Sequence, residues 1–97
     1  MRSLTVIGRR WFQKLYGNTY HTAQIIVDGE IVHTTPAMYG YGNHYEQSAA
    51  KALEISGHVE LEQRQKGIAP ESLFSWCDRN GVAYEAIAID VDRKRDL

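Results

Sequence analysis

Residues 18–36 read NTYHTAQIIVDGEIVHTTP, and the pair Asp28-Gly29 at the centre decides the fold. Asp-Gly suits a type I′ turn, whose twist matches that of two antiparallel strands. On its amino side His21, Ala23, Ile25 and Val27 fall on one side of an alternating strand; on its carboxyl side EIVHTT forms another strand that stops at Pro36. Upstream, residues 3–13 are rich in β-branched and aromatic side chains. Leu4, Val6, Gly8, Arg10 and Phe12 share one face there, and Thr5, Ile7, Arg9 and Trp11 the other. Gly17-Asn18 marks the turn between these strands. The first third of the chain is therefore expected to be a three-stranded antiparallel meander.

Past Pro36, PAMYGYGNHYEQ turns the chain from strand to helix, with Gly40 and Gly42 permitting a sharp corner. Asn43 followed by Glu46 has capping-box spacing. A helix to about Ser56 is expected, with Tyr45, Ala49, Ala52 and Leu53 as its apolar stripe and Gly57 just past its end. Residues 58–69, HVELEQRQKGIA, fit a charged helical extension or a loop, and Gly67 favours a loop at their end. Pro70 suits the first position of a second helix, with Glu71 in its first turn, Leu73, Phe74 and Cys77 facing inward and Asn80-Gly81 closing it. VAYEAIAIDV then reads as a last strand with Ala83, Ile87, Ile89 and Val91 on one face. The order β-β-β-α-α-β implies an α+β fold: a four-stranded, mainly antiparallel sheet with two helices on one face.

Ninety-seven residues, 43% of them hydrophobic, make one domain over 1–97, with 92–97 a polar tail. No apolar run reaches the length of a signal peptide or a membrane span, so no membrane partner and a cytoplasmic location are expected. Cys77 is the single cysteine. It excludes an intrachain disulfide and leaves any zinc site to histidines and carboxylates, so a structural role is expected for it. Net charge is −1, but the charge is polarised. Residues 1–27 carry Arg2, Arg9, Arg10 and Lys14 without an acid; residues 28–92 carry eleven acids against four bases; Arg93, Lys94 and Arg95 follow. Basic ends around an acidic middle point to a charged partner.

Catalytic patterns are lacking. His21, His33, His44 and His58 have no metal-ligand spacing, and no nucleophile elbow, P-loop or dinucleotide fingerprint occurs, so no catalytic residue, metal or cofactor is assigned. Two surfaces draw notice instead. Arg9, Arg10, Trp11, Lys14, Tyr16, Tyr20 and His21 interleave cations with rings, the combination that holds single-stranded nucleic acid by phosphate contact and stacking. The same residue types are enriched at protein interfaces. Tyr39, Tyr41, His44 and Tyr45 surround the start of the first helix, whose N–H groups suit a nucleotide phosphate, although Glu46 opposes an anion there.

Taken together, GRRWFQK at 8–14, GNTYH at 17–21, YGYG at 39–42 with His44-Tyr45, and DVDRKRDL at 90–97 resemble a family of small proteins encoded by phages, prophages and mobile elements. That family shares an RRWFQK…GNTYH…YGYG…DVxRKxDL skeleton over nearly the whole chain. HVELEQRQKGIAP at 58–70 departs from the glycine- and aromatic-containing segment expected there. The resemblance implies a stoichiometric, non-enzymatic binder that blocks host defence, of anti-CRISPR type, by occupying a surface of a host defence protein or nucleoprotein complex. Two faces are open for this contact in the host cytoplasm: the acidic helices, standing in for nucleic-acid phosphates toward a basic groove, or the basic hairpin gripping an acidic or nucleic-acid surface, with the hairpin and the YGYG loop preferred. The competing expectation is a direct binder of nucleotide or single-stranded nucleic acid, with an enzyme ranked last. An uncovered first or last strand would permit a homodimer.

Overall fold

The computed structural model describes residues 1–62 and 71–97. Its elements run β1 (Ser3–Gln13), β2 (Asn18–Val27), β3 (Glu30–Thr34), β4 (Met38–Tyr39), α1 (His44–Ile55), α2 (Leu73–Arg79), β5 (Ala83–Val91) and a 3₁₀ turn (Lys94–Asp96). The sheet order is β3-β2-β1-β5, with β4 also paired to β2. The fold class is α+β, as the element order implies.

The meander forms because its turns and its alternation agree. Asp28 at φ 50° and Gly29 at φ 83° supply the two positive values of a type I′ turn. The Asp28 carboxylate accepts from the backbone N–H groups of Arg2 and Ser3 at 2.7 and 2.9 Å, tying the turn to the start of β1. β1 and β2 then pair antiparallel from Leu4–Val27 to Gln13–Asn18. Pro36 ends β3 as expected, but the chain rejoins β2 beyond it, so the sheet has five strands rather than four. Thr35 bridges the gap: its N–H donates to the Ala23 carbonyl and its hydroxyl accepts from the Ala23 N–H, both at 2.9 Å.

β5 lies beside β1 in parallel, from Ser3–Ala83 to Trp11–Val91. A parallel return needs a long crossover, and the stretch carrying α1 and α2 supplies it. The first strand is therefore flanked on both sides, which leaves β5 as one edge and β3 with the short β4 as the other. Leu4, Val6, Ala23 and Ile25 from one sheet face meet Tyr45, Ala49 and Leu53 of α1 and Leu73 and Cys77 of α2 in a single core. Gly8 belongs to that face because the Tyr45 ring lies directly on it.

Several local expectations change. The Asn43–Glu46 capping box does not form: the Asn43 side chain makes no cap bond, and the Glu46 carboxylate accepts from the Tyr84 hydroxyl at 2.6 Å instead. At its other end α1 closes in a Schellman arrangement, with the N–H groups of Gly57 and His58 donating to the Glu54 and Leu53 carbonyls. α2 begins at Leu73, capped by the Ser72 hydroxyl, rather than at Pro70. Phe74, expected inside, is exposed, because this seven-residue helix turns only Leu73 and Cys77 into the core. Pro70, Gly67 and the rest of residues 63–70 lie outside the described residues.

Candidate binding surface at the hairpin end of the sheet

The β1–β2 hairpin carries Phe12, Leu15 and Tyr16 into solvent at its tip. Beside it, β4 pairs Tyr39 with Tyr20 and Met38 with His21. The Gly40 N–H donates to the Thr19 carbonyl at 2.9 Å, and Arg10 Nη1 donates to the Gly42 carbonyl at 3.0 Å. The hairpin and the YGYG loop, separate in sequence, are thus one surface. Gly40 sits at φ 153°, and a Cβ there would stand 2.7 Å from the His44 ring, so the corner needs glycine.

The expected site residues divide between the two sides of the sheet. Arg9, Trp11, Tyr20 and Tyr39 share the side without helices. Trp11 stacks on Tyr20 with centroids 5.9 Å apart, and Tyr39 meets Tyr20 edge to face at the same distance. This aromatic stripe is braced from within, and Tyr39 remains 60% exposed. Arg9, Lys14, Tyr16 and Tyr41 are exposed.

Arg10 and His21 lie on the helix side. Arg10 Nε donates to Asp90 Oδ1 at 2.7 Å, its neighbour in the β1–β5 ladder, so its charge is already paired. His21 is only 1% exposed and is no surface contact. Its Nδ1 lies 3.2 Å from the Gly40 carbonyl and its Nε2 2.7 Å from Ser48 Oγ. A carbonyl can only accept, so Nδ1 carries the proton and Nε2 accepts from the Ser48 hydroxyl. Burial, partly opposed by the Gly40 bond and joined by the nearby His44, lowers the His21 pKa. His21 therefore holds α1 and the YGYG corner onto β2 as a neutral imidazole. His44 packs against it with ring centroids 5.2 Å apart while staying exposed at the start of α1.

A further feature of this end comes from topology. Because β5 runs parallel to β1, its last residue, Val91, stands beside Trp11. Arg93, Lys94 and Arg95 consequently follow at the same end of the sheet as Arg9, Arg10 and Lys14. Six cations gather there against Asp90, Asp92 and Asp96, an excess of three positive charges on a chain of net −1. Arg10, Phe12, Lys14, Gly42, Asp90 and Asp92 border an open groove of about 530 Å³ at this junction. No family model, curated protein or solved structure matches the chain. Among the described residues no helix is long and apolar enough to cross a membrane.

Two signals for this arrangement were present in the sequence. His21 alternates with Ala23 and Ile25, the pattern of an inward side chain, and that pattern outranks its basic and aromatic neighbours. Phe12 and Leu15 are apolar residues at a turn with nothing nearby to cover them. The pairing of Arg10 with Asp90, and with it the meeting of the basic segments, depends on parallel register and has no local signature.

Proposed function

We propose that the protein is a non-enzymatic binding protein that blocks a host nucleoprotein complex by docking the basic, ring-bearing end of its sheet on it. The observation carrying this reading is the convergence of Arg9, Lys14 and Arg93–Arg95 with Trp11, Phe12, Tyr16, Tyr20, Tyr39 and Tyr41. A local excess of positive charge attracts a nucleic-acid-bearing surface, while braced aromatic rings supply rigid contact area at small entropic cost. The resemblance to small phage-encoded proteins supplies the setting, a host-defence complex of CRISPR type. Direct binding of a free single strand is the second reading, favoured by the same cations and by the exposed face of Tyr39.

The test is co-purification from the host with tagged wild-type protein and with an Arg9→Ala/Lys14→Ala variant. A nucleoprotein complex retained by the wild type, and held about tenfold more weakly by the variant, supports the reading. Retention of free oligonucleotide with a steep salt dependence, and of no complex, favours the second reading instead. If the double substitution leaves capture of the complex unchanged, the assigned surface is wrong.

A further inference from the structure

The two edges of the sheet differ in how they are protected. β3 has five residues, a register irregularity opposite Ile25 and Ile26, and Pro36 soon after it. Short length, bulges and proline are the usual defences of an edge. β5 has nine residues with no proline, no lysine and an uninterrupted ladder to β1. Among the described residues no strand pairs with its outer side. It is also open above and below: every residue except Tyr84 and Val91 is exposed, with Ile87 at 37% and Ile89 at 41%. Ile87, Ile89 and Val91 are apolar and β-prone, and although Glu85 and Asp90 are charged, the edge has neither proline nor bulge; these are features of a strand that pairs between chains.

We propose that the occupant is a second copy of this chain, pairing β5 with β5 antiparallel about a two-fold axis at Ile87. The sequence AYEAIAIDV is self-complementary in that register. Ile87 meets Ile87 of the second copy, Ala86 meets Ala88, Ala83 meets Val91, Glu85 meets Ile89 and Tyr84 meets Asp90. All nine residues are used and no like charges oppose each other, whereas centring on Glu85 or Asp90 would juxtapose two carboxylates. The charges also complement. Arg9 neighbours Ile89 in the β1–β5 ladder, so Glu85 of the second copy lies two strands away, roughly 10 Å between Cα atoms. Extended Arg and Glu side chains span that distance on the side without helices. Backbone pairing along one strand buries an area at the low end for specific complexes, so the dimer is concentration-dependent. The axis sends the two basic ends in opposite directions: of the surface assigned above Arg9 alone reaches toward the second copy, and Lys14, Tyr16 and Tyr41 at the far end stay free on each.

Light scattering and sedimentation over a concentration series test this. The wild type is expected to rise from 11.1 kDa to twice that mass. Ile87→Arg, which sets two cations together on the axis, should keep a single-chain mass with an unchanged circular dichroism spectrum. Ile31→Arg, on the opposite edge, should dimerise like the wild type. Should Ile87→Arg fail to fold, Ile87→Cys decides the matter: axial residues of a strand pair lie within disulfide range, and mild oxidation should give an interchain cross-link. A single-chain mass at every wild-type concentration overturns the proposal. So does an Ile87→Cys protein that does not cross-link, or a dimer dissociated by Ile31→Arg and not by Ile87→Arg.

Discussion

Gly8 lies under the ring of Tyr45, so close that a Cβ placed there would stand 2.1 Å from the Tyr45 Cγ. The ring is 5% exposed and walled in by the core, leaving it nowhere to move. Gly8→Ala should therefore destabilise the fold by about 2 kcal/mol or more, the range of overpacking in a filled interior. Urea denaturation reads the shift. Equal midpoints for Gly8→Ala and wild type would show that α1 does not sit on β1 as described.

Acid should weaken the protein first through His21. Its pKa is lowered from the ordinary 6.5 by burial, so below that pH the unfolded chain takes up a proton that the folded chain refuses. Stability consequently falls as pH drops through the unfolded value, and the loss levels off only beneath the lowered one. Denaturation midpoints at pH about 7.5 and about 5.5 should differ, and His21→Gln should shrink the difference.

A second acid window belongs to Glu71. This carboxylate is 5% exposed and accepts from Arg79 Nε and Nη2 at 2.8 and 2.9 Å, with the Ser75 hydroxyl at 3.2 Å. The Arg79 bonds chiefly hold its pKa down at about 2 against the opposing effect of burial. Its contribution is complete above the unfolded value of 4.5 and is lost as pH falls from there toward 2. Glu71→Gln should flatten the stability profile in that window and leave the His21 window untouched. A profile that keeps its low-pH limb in the variant would assign it elsewhere.

Cys77 should be inert while the chain is folded. It is 1% exposed, and burial raises its thiol pKa to about 11. At mildly alkaline pH it holds its proton and lies out of reach of reagents. An aromatic disulfide reagent should label it only as fast as the protein opens, and at once in denaturant. Prompt labelling under native conditions would contradict its place between α2 and the sheet.

The sequence made most of the scaffold legible because the cues were local and agreed with one another. Asp28-Gly29 specified its turn, the alternation from Leu4 to Gly8 specified a buried face, and Gly57 marked the end of α1. The local errors had two sources, a partner far along the chain and the length of a helix. Tyr84 draws Glu46 away from capping, and the shortness of α2 turns Phe74 outward. The candidate surface was half legible: its ring and cation types were visible, while their sorting onto two sides followed an alternation that local composition obscured. Nothing near residue 10 announces Asp90, and nothing near residue 93 announces Trp11.

The parallel ladder between β1 and β5 joins residues eighty positions apart, from Ser3–Ala83 onward. Such contacts close a large loop before they repay its entropy, which slows folding relative to a protein of mostly local contacts. On the ribosome the meander and α1 can assemble early, but β1 stays open along one side until residues 83–91 emerge from the exit tunnel. The nascent chain therefore exposes one side of β1 until that last strand is available to pair with it.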